Sequence, residues 1–214
     1  MKNFVITIMD NEKSNEAADR CIKSGSQHGG IVIEKWPAIT PRDDLKDLLQ
    51  KDGINPVSMA EVYSRTPNAV AAFMSHFSLW KESVERKTEI TIFEHDAVCV
   101  NDIPTFIEYH GVISLGKPSY GKFNTPSTLG VNKLTSKPYF PGAHAYRIKP
   151  AAAQMLIDQA RLEAKPTDVF LNLNTFPFLQ ELYPWRVEAH DTFTTIQNPT
   201  GCVAKHNKVE VIEA

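Results

Sequence analysis

The residues best suited to chemistry stand in a row: Glu94, His95 and Asp96. They end an apolar, β-branched run, Ile90-Thr91-Ile92-Phe93, and a second apolar run, Ala97-Val98-Cys99-Val100, follows. A buried strand carries apolar residues on both faces. Charges set abruptly at its end must leave the core or find a partner. In extended geometry, residues two apart point to the same side. Glu94 and Asp96 would then offer hard oxygen ligands to one divalent cation. Strand ends of an α/β sheet are also where ligands bind. The plain alternative is a solvated turn after a strand. The three residues leave both readings open, and the surroundings must decide.

Several elements must position them. Phe4 to Met9 reads as a first strand, ending at Asp10-Asn11. A helix follows, with Ser14 as cap, Ala17, Ala18, Cys21 and Ile22 on one face, and Gly25 near its end. Gly29-Gly30 punctuate, and Ile31-Val32-Ile33 is a second strand. This β-α-β opening is typical of a parallel sheet. A short helix is expected over 43–50. Thr66-Pro67 predicts a helix start, a capping hydroxyl and then proline at the first helical position. Val70, Phe73, Met74, Phe77, Trp80 and Val84 then recur at helical spacing. His76 lies near that buried face, where a satisfied structural histidine is the ordinary role.

After Pro104 comes a weak helix or turn, then Gly111 to Leu115 as a strand. Residues 116–142 show little periodicity and many turn formers. A loop that long is usually functional or mobile. Ala143 to Ile148 returns to strand, and Pro150 opens a helix through Arg161. Asp168 lies near a further helix N-terminus, and Trp185 to Ala189 is a last strand. A polar tail covers 190–214.

The chain has 214 residues, 42% hydrophobic and 22% charged, enough for one sizeable core in a single domain. A net charge of -2 excludes a globally basic nucleic-acid binder but not a local basic patch. Cys21, Cys99 and Cys202 form neither a disulfide framework nor a zinc spacing. No apolar run reaches the roughly 18 residues of a membrane span. The first strand begins without a signal-like segment, so a cytoplasmic location is expected.

Three blocks, in order, resemble glycosyltransferase family 25, the group with lipooligosaccharide and collagen galactosyltransferases. The first is Ala71 to Trp80, with its Ser75-His76 pair. The second is Ile92 to Ala97, like the family's Glu-Asp-Asp motif, with His95 in place of the middle acid. The third is Gly142-Ala143-His144-Ala145-Tyr146-Arg147-Ile148, followed by an Ala-rich helix and Pro166 to Phe170. Asp10-Asn11-Glu12-Lys13 departs from the basic pair usual after the first strand; Asp10, His76 and His95 are further candidates outside the donor and metal set. The resemblance implies a single GT-A-like (Rossmann-like) α/β domain with a mixed, mainly parallel sheet. It implies a nucleotide-sugar donor such as a UDP-sugar, a Mn²⁺ or Mg²⁺ cofactor, and inverting transfer. Glu94 and Asp96 would then hold the metal against the donor diphosphate, with His190 as a third ligand. Asp168 would be the general base, its alternative being a helix cap. Gly142 would let the backbone approach donor or acceptor, with His144 beside it.

Two other classes compete: a non-catalytic, carbohydrate-binding relative, and a metal hydrolase acting on phosphate. The hydrolase lacks a second acidic cluster for a two-metal site. For the acceptor, residues 116–142 matter. Lys117, Lys122, Lys133 and Lys137 alternate with Tyr120, Phe123, Tyr139 and Phe140, with no Asp or Glu among them. Lysines neutralise phosphates, and rings stack on bases or sugars. This favours a phage-type enzyme acting on a hydroxymethylated pyrimidine in DNA, in the host cytoplasm if viral, with a saccharide or lipooligosaccharide acceptor as the alternative. The sugar and the oligomeric state are not specified by the sequence.

Overall fold

The computed structural model describes residues 1–28, 30–60, 65–190 and 196. In chain order the elements are β1 (Lys2–Thr7), α1 (Glu12–Gln27), β2 (Glu34–Pro37), α2 (Leu45–Asp52), α3 (Thr66–Arg86), β3 (Ile90–Glu94), β4 (Ala97–Cys99), β5 (Val112–Ser114), β6 (Gly130–Lys133), β7 (Ala145–Ile148), α4 (Pro150–Leu162), α5 (Thr167–Phe170), β8 (Gln180–Tyr183) and β9 (Val187–Ala189). Seven strands form one sheet in the order β2-β1-β3-β7-β5-β8-β6, and β4 and β9 form a separate ribbon. Strands β2, β1, β3, β5 and β8 run one way, and β7 and β6 oppose them. The domain is therefore α/β and Rossmann-like, with a mixed and mainly parallel sheet.

Each face of the sheet has its own core. Phe4, Ile6, Ile90, Ile92, Tyr146 and Ile148 face α3 and α4. Val5, Phe93, Ile113 and Ala145 face α1 and the β4–β9 ribbon. The alternation follows from the period of two along a strand. Phe73, Phe77 and Trp80 of α3 are fully buried, each aromatic contributing about 2–3 kcal/mol. Phe170 of α5 stacks on Trp80, ring centroids 5.6 Å apart, and meets Phe73 edge-on at 5.4 Å. That contact anchors the short helix carrying Asp168.

Chain direction decides where ligands can bind. Helix α1 carries the chain from β1 to β2 on one side, and β3 then pairs with β1 on the other. The crevice between the carboxyl ends of β1 and β3 is a topological switch point, where such sheets bind ligands. Residues 8–11 and 94–96 border it. Because β7 is antiparallel to β3, residues 142–144 come to the same edge.

Several sequence expectations shift. The second strand is Glu34–Pro37, not Ile31 to Ile33. Ile31 and Ile33 are buried against α1 at Gly25, so their apolar pattern reflects helix packing. Pro37 is tolerated because β2 lies at the sheet edge. The cap of α1 is Asn11, whose side chain accepts the Ser14 N–H; the Ser14 hydroxyl instead accepts Ile8 N–H. Helix α3 has Arg65 at its cap position, with no side-chain cap bond, so Thr66 is not the cap. Between Pro104 and Gly111 the chain bends without forming a helix, so the turn alternative holds there. Residues 116–142 are not all loop, since β6 pairs with β8 there. Strand β8 escaped notice because Gln180 and Glu181 sit at buried positions. Both are satisfied there: Gln180 accepts His110 N–H, and Glu181 accepts Thr135 and Ser136 N–H. Of the tail 190–214, all but His190 and Ile196 lies outside the described residues. No described helix is long and apolar enough to cross a membrane.

Arg147 is buried on β7, facing away from α3. It donates to Thr91 Oγ1 at 3.2 Å and Pro104 O at 3.1 Å, and pairs with Glu89 at 3.6 Å. It thereby pins residues 104–105 to the sheet. Arg147→Met is expected to cost about 3 kcal/mol, because the carbonyl and carboxylate acceptors lose their donor. Urea denaturation at pH 7 measures this, and a loss below about 1 kcal/mol would show that the guanidinium contributes little.

Candidate active site

Glu94 is the last residue of β3 and shares the face of Ile90 and Ile92, so it points towards α3. There it meets His76. Trp80 Nε1 donates to Tyr146 Oη at 2.8 Å. The tyrosine hydrogen is then free to donate to His76 Nδ1, 2.9 Å away. This bonding assigns His76 as the Nε2–H tautomer, donating to Glu94 Oε1 at 3.1 Å. The His76 ring also stacks on Tyr146. Burial holds its pKa down at about 3, against the opposing pull of the Asp168 carboxylate. The chain Trp80–Tyr146–His76 is a buried, hydrogen-bonded support for one carboxylate.

This neutrality has a measurable consequence. Above the ordinary histidine pKa of 6.5 His76 is neutral whether folded or unfolded. Below it the unfolded chain takes up a proton that the folded chain refuses until about pH 3. Stability therefore falls with pH across that window, by up to about 1.4 kcal/mol per pH unit. His76→Gln is expected to lose less stability than the parent between pH 7 and pH 5. Equal losses in urea titrations at both pH values would exclude His76 as the source.

Asp96 does not stay with Glu94. The chain turns at His95-Asp96 before β4, so the extended geometry that would align the two carboxylates is absent. Asp96 lies on the α1 side, where burial raises the pKa of Cys21 and the charges of Cys99 and Asp96 add to the rise. His190 stands opposite it: the ribbon pairs Ala97 with Ala189, and His190 N–H donates to Asp96 O at 2.8 Å. His190 Nε2 lies 4.0 Å from Glu188, and its C=O accepts from Arg20. Its pKa is lowered, by burial first and then by Arg20. His95 Nδ1 is 3.1 Å from Ser14 Oγ, which ties the acidic turn to α1. Asp10 forms an exposed ion pair with Arg42 at 2.6 Å, and that hydrogen bond lowers its pKa. The glutamate and the aspartate–histidine pair thus flank the strand end from opposite sides. Among the described residues no group of three or more His, Cys, Asp and Glu side chains is arranged to hold a metal.

Asp168 approaches from α5. Its carboxylate accepts Tyr120 Oη and Val169 N–H, and the Gly142 amide also bonds to it. Burial nonetheless raises its pKa, and these donors only moderate the rise. Gly142 has φ +87°, and a Cβ there would lie 2.3 Å from Ser119 Oγ. Only glycine can both take that conformation and clear Ser119 while turning its amide to Asp168. His144 is buried against Gly116, and its C=O accepts Glu94 N–H at 2.9 Å. The segment 116–144 thus joins the two acids across the sheet edge.

The aromatic and basic residues of 116–142 divide. Lys117 is ion-paired with Glu188 at 2.9 Å, so its charge is already matched. Lys137 lies over the rings of Tyr120 and Tyr139, at 5.0 and 5.3 Å. Lys122 and Lys133 are exposed, and Phe123 packs edge-on against Trp185. Sequence reasoning missed Tyr146 and Trp80 as supports of Glu94. Their aromatic types at core positions signalled only packing.

No curated protein matches the chain. The family model described as glycosyltransferase family 25 (LPS biosynthesis protein) matches residues 1–171, which includes Glu94, Asp96 and Asp168. A match over most of the length shows that the chain belongs to glycosyltransferase family 25 and is a glycosyltransferase.

Proposed function

We propose that the protein transfers a sugar from a nucleotide-sugar donor, a UDP-sugar, to an acceptor hydroxyl with inversion, using Mn²⁺ or Mg²⁺. The observation that carries this reading is one connected support: Trp80, Tyr146 and His76 hold Glu94, and Phe170, on the short helix that carries Asp168, stacks on the same Trp80. Two acids far apart in sequence are thus tied to one buried aromatic group.

Asp168 is the base in this reading. Tyr120 and Val169 orient its two oxygens, and its raised pKa suits proton acceptance better than an ordinary carboxylate would. It takes the proton of the acceptor hydroxyl as that oxygen attacks the anomeric carbon opposite the leaving nucleotide. Glu94 and Asp96 are the donor-side acids. The residues suit a cation that arrives with its diphosphate, since such sites use one or two carboxylates plus substrate phosphates. When bound, the cation offsets the charge on the departing diphosphate.

The acceptor is read as a saccharide, in keeping with the family's description. A second reading, hydroxymethylated pyrimidine in DNA, is favoured by the exposed Lys122 and Lys133 in a segment free of acids. It is weakened by the ion pair that already matches Lys117 with Glu188. The test offers nucleotide sugars and Mn²⁺ with oligosaccharide, hydroxymethylcytosine DNA and plain DNA. Sugar incorporated into oligosaccharide supports the first reading, and incorporation only into modified DNA supports the second. Release of no nucleoside diphosphate with any donor overturns both.

A further inference from the structure

A cleft of about 740 Å³ lies between residues 121–124 and 135–139. Its size suits one or two sugar rings. Its walls are preorganised. Asn124 N–H donates to Ser136 O at 3.0 Å, and the Asn124 side chain donates to Thr135 O, so the two walls are tied together. From below, the buried Glu181 accepts the N–H groups of Thr135 and Ser136 and the indole N–H of Trp185. Trp185 in turn supports Phe123.

The lining has a definite chemistry. Phe123 and Tyr139 offer ring faces, Asn124 and Thr135 offer polar groups, and Lys122 and Lys137 offer two ammonium groups. No carboxylate lines it. Lys137 Nζ sits 2.7 Å from where a Cβ on Gly121 would be, so any other residue there would displace the ammonium. The cleft also adjoins the base. Lys137 spans Tyr120 and Tyr139; Tyr139 lines the cleft, and Tyr120 holds Asp168. From the lining residues Lys137 and Tyr139, one further side chain, Tyr120, leads to Asp168.

We propose that this cleft is an acceptor subsite for an acidic sugar, a ring bearing a phosphate or a carboxylate. The proposal rests on the glycosyltransferase reading and adds to it the charge and place of the acceptor. A short, open cleft with two cations suits one anionic ring; a nucleic-acid strand calls for a row of cations along a track.

The test is an NMR titration of the full chain with glucose 6-phosphate, glucuronate and neutral glucose as probes, and with a single-stranded oligonucleotide. The expected result is that at least one anionic sugar binds about tenfold tighter than glucose, shifting the resonances of residues 121–139. Preference for the phosphate or for the carboxylate identifies the source of the charge, and either supports the subsite. Lys137→Gln and Lys122→Gln should each remove most of that preference with the melting temperature unchanged. Lys122 is exposed, so its variant tests charge without risk to the fold. Equal binding of glucose and the anionic sugars, or no sugar binding, overturns the proposal. So does salt-sensitive oligonucleotide binding through the same lysines with no anionic-sugar preference. UDP binding, followed by thermal shift, is the separate control. Both lysine variants should keep it, and its absence from the parent protein would count against the donor reading while leaving the cleft result intact.

Discussion

Asp168→Asn is expected to lower the transfer rate by about 10²- to 10⁴-fold, the usual contribution of a positioned base, with nucleotide-sugar affinity retained. The amide keeps the shape of the carboxylate and can still accept from Tyr120 or Val169, but it cannot take a proton. Stability separates this role from helix capping. Burial raises the Asp168 pKa, so the ionised form is disfavoured in the folded chain. Its destabilising effect is absent at low pH and complete once pH has risen through the folded value. Asn is spared that effect at pH 7, so the variant's melting temperature should not fall. A capping aspartate would instead show a lowered melting temperature and little specific loss of rate. The parent enzyme should also lose activity as pH falls through the raised pKa, that is, above the ordinary 3.8 of an aspartate. An acid limb at or below 3.8, or Asp168→Asn with normal turnover, would remove Asp168 from the mechanism.

Removal of divalent cations is the second large effect expected. Excess EDTA should abolish transfer, and Mn²⁺ or Mg²⁺ should restore it. Asp96→Asn and Glu94→Gln should each lower the rate by about 10²-fold or more, the scale of several kcal/mol of charge stabilisation at a leaving diphosphate. The two variants differ structurally. Glu94 is bound to the buried His76 and remains 27% exposed at its side chain, so Gln can keep that hydrogen bond while losing charge. Asp96 belongs to the α1 side with His190, so a weakened metal requirement in His190→Ala would mark that side as the contact. Full turnover in excess EDTA would sink the metal reading altogether. Unchanged metal dependence in His190→Ala would reject the third-ligand role alone.

The sequence by itself determined the class of the domain and the place where an apolar strand meets a charge. The β-branched runs at Phe4 to Met9 and Ile90 to Phe93, with the long apolar helix between them, specify an α/β sheet because burial on two faces leaves little choice of pattern. Glu94 was legible because a charge at the end of such a run must face an edge. Tertiary structure decided the rest. Period-two alternation placed Glu94 and Asp96 on one side, and the turn at His95-Asp96 separated them, since a reversal into β4 cancels the alternation. Polar Gln180 and Glu181 hid a buried strand, because their satisfaction comes from Thr135, Ser136 and His110, which no local pattern connects to them. Lys117 read as a free cation until β9 brought Glu188 to it. His76, Tyr146 and Trp80 read as core, and they are core; only the pairing of β3 with β7 under α3 shows that this core ends on a carboxylate. Apolar pattern is written residue by residue, but partners for polar groups are supplied across long sequence separations, where only the folded chain brings donor and acceptor within about 3 Å.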